Sequence, residues 1–184
     1  MSKTSRLAGM MLGPMLFGLA GCGNFTDVAH FEQKDEVSGC GGFAANQSPL
    51  LADPPAYCSA EVLHWTYDPA TEKLSFNNTR VFLNCCGTHT MELSYLAKES
   101  TYLLTETDAP DSTGYRCGCM CVFDYTMTVE GIPNEPMQLR LVRNVTDDQQ
   151  GPQIIYEGRL DLSAGAGWVV TDENPVNPAW CNHT

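Results

Sequence analysis

Positive charge is what this sequence has least of. Ten Lys and Arg stand against 22 Asp and Glu in 184 residues, a formal net charge of -12. Such a surface repels phosphate backbones and anionic headgroups, which argues against DNA or RNA as a partner. Helical periodicity is missing too: no segment keeps apolar residues at a 3.6 spacing for long, so an α-helical bundle is not expected. There is no G-x-S-x-G, H-E-x-x-H, Walker loop or dinucleotide fingerprint, and no C-x-x-C to carry thioredoxin-like redox chemistry. The leading apolar run, Leu7 to Ala20, is interrupted by Gly13, Pro14 and Gly18 and falls short of the roughly 20 apolar residues that span a bilayer. At this length one domain is expected rather than two.

What is present at the amino terminus is an export signal. Lys3 and Arg6 give a positive start, Leu7 to Ala20 an apolar stretch, and Leu19-Ala20-Gly21-Cys22 a small-residue cleavage site. Every position of that tetrapeptide resembles the bacterial lipobox. The resemblance implies that residues 1–21 are removed and that Cys22 becomes the lipidated first residue, tethering the protein to a membrane without spanning it. Loss of the leader also removes two positive charges. Gly23 stands where an Asp would signal inner-membrane retention, so the resemblance implies the outer membrane of a Gram-negative cell envelope.

Nine cysteines is an odd count. With Cys22 blocked by lipid, the other eight form an even set: Cys40, Cys58, Cys85, Cys86, Cys117, Cys119, Cys121 and Cys181. In an oxidising compartment such a set reads as a disulfide framework. If Cys117, Cys119 and Cys121 lie on a strand they share one face at steps of about 6.5 to 7 Å, too far apart to bond one another comfortably. Adjacent Cys85 and Cys86 point opposite ways when extended, and both are expected to pair with members of that trio. The third member then falls to Cys181 or to the amino-terminal cysteines. A mutual Cys40–Cys58 bond would order the Gly- and Pro-rich segment between them. The competing reading takes Cys85, Cys86, His89, Cys117, Cys119 and Cys121 as ligands for zinc or copper(I). Against it, zinc knuckles use two residues between cysteines, whereas C-x-C-x-C is strand spacing.

The rest of the chain reads as short strands separated by turn formers: Glu61 to Tyr67, Lys73 to Asn77, Arg80 to Asn84, Met91 to Leu96, Thr101 to Thr107, Met120 to Val129, Gln138 to Arg143, Gln153 to Leu160 and Trp168 to Val170. Asp68-Pro69-Ala70 marks the first turn. Phe123, Tyr125, Met127 and Val129 alternate with Val122, Asp124, Thr126 and Thr128, one row for a core and one for solvent. The expected fold is therefore all-β, a single disulfide-stabilised antiparallel sandwich, with a small barrel as the alternative. Around a domain at 58–171, residues 22–57 read as a lipidated tether and lead-in loop, with a short helix near Phe43 to Leu51. Residues 172–184 read as a Pro-rich tail stapled by Cys181.

Few other residues suggest chemistry. Glu106, Asp108 and Asp111, with Gly114, resemble an acidic loop, but not the spacing of a calcium loop, so a solvated turn is the simpler reading. His30 and His183 fall in expected flexible ends and His64 on a strand. Asp124 is expected to brace a neighbouring turn. The stretch from Leu83 to Asp124, with paired cysteines, an acidic loop and C-x-C-x-C-x-[FY]-D, resembles a group of small Cys-rich lipoproteins of Gram-negative bacteria to which no activity is assigned. The resemblance implies an exported β domain without supplying a mechanism. The expected role is a non-enzymatic interaction or structural module of the envelope, with a protein or glycan partner and no cofactor. A metal-binding or redox lipoprotein is the alternative, and an envelope hydrolase the third possibility.

Overall fold

A computed structural model describes residues 28–41 and 60–173. The expected helix near Phe43 to Leu51, together with Cys22, Cys58 and Cys181, lies outside the described residues. Among the described residues ten strands run in chain order: β1 (Val28–His30), β2 (Gln33–Val37), β3 (Glu61–Asp68), β4 (Lys73–Asn84), β5 (Thr88–Leu96), β6 (Thr101–Ala109), β7 (Met120–Val129), β8 (Met137–Val145), β9 (Gln153–Leu160) and β10 (Ala166–Asp172). They build two five-stranded sheets, ordered β1-β5-β6-β8-β9 and β10-β3-β4-β7-β2. This is the expected all-β sandwich, and the two sheets do not close into a barrel.

The chain changes sheets at both open sides. At one side β1 leads directly into β2; at the other β9 passes through a single 3-10 turn, Leu162–Ala164, into β10. β7 lies in the sheet facing β6 and β8. Each of the two reversals flips direction, so β6 and β8 run parallel, while the other pairings are antiparallel.

The core follows the alternation. Phe123, Tyr125, Met127 and Val129 are buried on β7, in one core with Leu93, Leu104, Leu139 and Leu141 of the other sheet. Burying each such side chain stabilises the fold by roughly 1.5–3 kcal/mol relative to leaving it in water. The first hairpin turn is fixed by Asp68, whose carboxylate accepts from the Ala70 amide at 2.9 Å and the Thr71 hydroxyl at 2.7 Å.

Two departures from the sequence reading have clear causes. The segments expected at Lys73 to Asn77 and Arg80 to Asn84 are one strand, β4, with a bulge between Asn78 and Val81 where Arg80 takes φ +65°. The bulge removes the Arg80 amide from the ladder, and Asp124 Oδ1 accepts it at 2.9 Å. The bracing expected of Asp124 is thus directed at a bulge. The second departure is that β1 and β2 fall in the stretch expected as a lead-in loop. His30 sits on β1, 2.8 Å from Glu92, instead of in a flexible end. Because β1 is short, the amides of Met91 and Leu93 on β5 lack a neighbouring strand. Asp35 (3.1 Å) and Gln33 (2.8 Å) reach across from β2 to accept them, which seals this side of the sandwich.

Candidate functional site

The cysteines gather where β4 ends and β7 begins. Cys85–Cys119 and Cys86–Cys117 bond the β4–β5 turn to the segment entering β7, with Cα separations of 5.6 and 5.4 Å. Both members of the adjacent pair therefore bond to the trio, as expected. The trio's third member, Cys121, takes Cys40, with Cα atoms 5.5 Å apart. Of the alternatives left open for the third member, this is the amino-terminal one, and it replaces a mutual Cys40–Cys58 bond. Because β2 pairs with β7, Val37 lies opposite Tyr125, and the chain leaving β2 runs beside the start of β7. The Gly41 amide donates to the Val122 carbonyl at 2.9 Å, which brings Cys40 to Cys121.

Only Cys121 of the trio is on the strand proper; Cys117 and Cys119 precede Met120, although the Cys85 amide still donates to the Cys119 carbonyl at 3.2 Å. The sulfurs of Cys85, Cys117 and Cys119 all lie within 4.8 Å of one another. The six-ligand set considered from sequence does not assemble around one point. Cys121, a core residue, is bonded to Cys40, and the described sulfurs of the cluster are in disulfides, whereas the metal-binding form of cysteine is the thiolate.

The turn under this cluster is held by polar contacts. Arg116 spans two carboxylates, Asp108 and Asp147, donating through Nε to Asp147 at 3.1 Å and through Nη2 to the Asp108 carbonyl at 3.1 Å. Its Nη1 also reaches the Cys86 carbonyl at 3.4 Å. Burial alone would raise the Asp108 carboxyl, but contacts with His89, 3.4 Å away, and with Arg116 outweigh it and hold the carboxyl below its ordinary value. The His89 ring packs on Phe123, centroids 4.5 Å apart, so it braces both Asp108 and Phe123. Gly87 has φ +127°, and a Cβ there would strike the Ala109 carbonyl; the cysteine-bearing turn can approach β6 only because this residue is glycine.

The acidic loop read from sequence does not exist as one unit. Asp111 alone forms a turn, accepting from the Thr113 amide at 2.8 Å and the Tyr115 amide at 3.0 Å, and the bonds from Thr113 and Tyr115 lower its carboxyl. Glu106 and Asp108 belong to β6. Glu106 enters a buried polar cluster that sequence reasoning missed. Arg143 Nη2 donates to Glu61 and to Glu106, each at 2.7 Å, and Asn78 Nδ2 donates to the same carboxylates at 2.9 and 2.6 Å. The Thr171 hydroxyl adds a bond to Glu61 at 2.9 Å. Burial pushes the Glu106 carboxyl up; Arg143 and Asn78 pull it back in part, and Glu61 adds to the rise. Both carboxylates are fully buried, so no substrate reaches them as the protein stands.

A separate cleft of about 320 Å³ opens beside β5 and β6, lined by Tyr95, Tyr102, Pro133, Glu135 and Pro136 among others. Its tyrosine rings lie 4.8 Å apart, and Phe31 stacks on Tyr102 at 5.9 Å. Neither histidine nor cysteine is among its lining residues; Ser100 and Glu135 supply a hydroxyl and a carboxylate beside the aromatic surface.

Among the described residues, no helix is long and apolar enough to cross a membrane. The chain matches no family model, no curated protein and no solved structure.

Proposed function

We propose that this chain is a lipid-anchored protein of the Gram-negative cell envelope whose disulfide-stapled β-sandwich acts as a non-enzymatic interaction or structural module. The observation that carries the reading is the pairing of an export-type lipobox, Leu19-Ala20-Gly21-Cys22, with a domain that puts six of its cysteines into disulfides. Such bonds belong to oxidising, extracytoplasmic compartments. The surface such a module would present includes Phe82 and Met120, exposed on one face at diagonal cross-strand positions, and the exposed Tyr115 nearby in sequence.

The test is fractionation of a Gram-negative host expressing the full chain. The wild type is expected in the membrane fraction with acyl chains on Cys22, and Cys22→Ala is expected to lose the acyl label and leave that fraction. Membrane association that survives Cys22→Ala without acylation overturns the reading. A second reading, a redox or metal-binding lipoprotein, is favoured by the three sulfurs of Cys85, Cys117 and Cys119 lying within 4.8 Å.

A further inference from the structure

The two neighbouring disulfides share a geometry that a pair of passive staples does not need. Cys117 Sγ, already bonded to Cys86, lies within 4.8 Å of both sulfurs of the Cys85–Cys119 bond. Cys86 Sγ lies outside that close group of three. Thiol–disulfide exchange proceeds by attack of a thiolate on a disulfide sulfur. A separation of 4.8 Å or less is within about 1–2 Å of the roughly 3–3.5 Å near-attack distance, a gap that side-chain rotation can close.

We propose that Cys86–Cys117 and Cys85–Cys119 form an exchange pair with Cys117 as the pivot, through which the protein trades disulfides with an exported dithiol protein. The proposal deepens the redox reading and rests on it. In the first step an external dithiol delivers two electrons and two protons to the Cys86–Cys117 bond, becoming a disulfide itself, and Cys86 and Cys117 become thiols. In the second step the Cys117 thiolate attacks Cys85 Sγ. The Cys85–Cys117 bond forms, the Cys85–Cys119 bond breaks, and Cys119 leaves as a thiolate that takes up the proton Cys117 gave. No electrons are gained or lost in that step.

The consequence is a transfer of reactivity outward. Cys117 and Cys85 are half-buried, whereas Cys119 is exposed, so exchange moves the free thiol to the one position of the three that solvent and a partner's disulfide reach most readily. Proximity, not an activated thiol, drives the step. Arg116 adjoins Cys117, but Asp108 and Asp147 offset its charge. An intramolecular attack at this range replaces a bimolecular encounter, which is where the rate advantage arises.

Cys86→Ser leaves Cys117 as the free thiol beside an intact neighbouring bond, and Cys117→Ser leaves Cys86. Each variant of the mature chain is prepared under oxidising conditions, quenched with an alkylating agent and mapped by peptide mass. The proposal expects Cys86→Ser to lose label from Cys117 to Cys119, while Cys117→Ser carries label on Cys86 alone. Label confined to Cys117 in the first variant overturns it. Scrambling in both variants overturns it as well, since the geometry would then select nothing.

Should Cys86→Ser fail to fold, the wild type reduced with one equivalent of dithiothreitol and mapped in the same way decides the same question. The proposal expects a non-native Cys85–Cys117 cystine peptide beside labelled Cys86 and Cys119; cystine peptides in the native pairings alone overturn it. That titration also separates the inference from the redox reading. Reversible reduction of the cluster while Cys40–Cys121 stays intact, without scrambling, ends the exchange pair and leaves the redox reading standing. Resistance of all three bonds to the dithiol ends both.

Discussion

Arg143→Met removes the one cation from a buried cluster of two carboxylates while keeping most of the side chain's volume. The Arg143 side chain is 16% exposed, and Glu61 and Glu106 are 1% and 0% exposed, so solvent replaces little of the lost charge. Breaking a buried ion pair by deleting one partner costs roughly 3–5 kcal/mol, because the remaining charge is left without compensation. With urea slopes of about 1–3 kcal/mol per molar, the disulfide-intact variant is expected to unfold at a midpoint lower by roughly 1–5 M at pH 7. The pH dependence identifies the cause. Burial already raises the Glu106 carboxyl above its ordinary value of 4.5, and losing Arg143 raises it further. A group whose folded value is raised has its full stability below the unfolded value and loses it as pH rises through the folded one. The penalty in Arg143→Met is therefore expected to be smallest below about pH 4.5 and to grow toward pH 8. The assay is urea unfolding followed by tryptophan fluorescence at several pH values, wild type beside variant. A midpoint loss that is equal at pH 4 and pH 8, or one below about 1 kcal/mol throughout, refutes an uncompensated buried carboxylate as the cause.

Four further outcomes are expected. Asp124→Ala orphans the Arg80 amide in the β4 bulge and should cost about 1–3 kcal/mol in the same unfolding assay. Gly87→Ala forces a Cβ into the Ala109 carbonyl at a left-handed φ; at least about 1–3 kcal/mol of strain is expected, read as a lower Tm. Asp108 and Asp147 have lowered carboxyls through Arg116 and, for Asp108, His89, so the stability they supply is present above the ordinary value of 3.8 and lost as pH falls through their folded values. Acid unfolding of Arg116→Met should accordingly be less steep than that of the wild type. The Cys40→Ser/Cys121→Ser pair opens a loop with a sequence separation of 81, worth about 4.5 kcal/mol in the chain-entropy model, and hydrogen exchange should show β2 losing protection first.

The sequence carried the strands whose stabilisation is local alternation. β7 and β9 have the bounds expected of them, and on β7 the row of Phe123, Tyr125, Met127 and Val129 is buried in the core. It misrepresented strands whose polar residues are satisfied by distant partners. Asn78-Thr79 reads as a break between two strands, yet Asn78 is bonded to Glu61 and Glu106, and the Arg80 amide beside it to Asp124. β1 and β2 carry almost no apolar row; they are held by backbone ladders to β5 and β7, and β2 adds side-chain bonds to β5 and is followed by Cys40, 81 residues from its partner. No local pattern encodes contacts of that separation. The same holds for Glu106, whose acidity and neighbours suggest a loop and whose real partner, Arg143, is 37 residues away. In the cysteine cluster the adjacency of Cys85 and Cys86 was enough to direct both to the trio, whereas the choice of Cys121 for Cys40 depended on the β2–β7 pairing.

The most direct test of a lipid-anchored, disulfide-stapled module is mass mapping of the protein taken from the membrane fraction of a Gram-negative host and digested without reduction. The expected products are an amino-terminal peptide that begins at Cys22 and carries acyl chains, together with cystine peptides joining Cys40 to Cys121, Cys85 to Cys119 and Cys86 to Cys117. An unmodified peptide running through Cys22 from the leader would contradict the anchor, and free thiols at those six positions would contradict the staples.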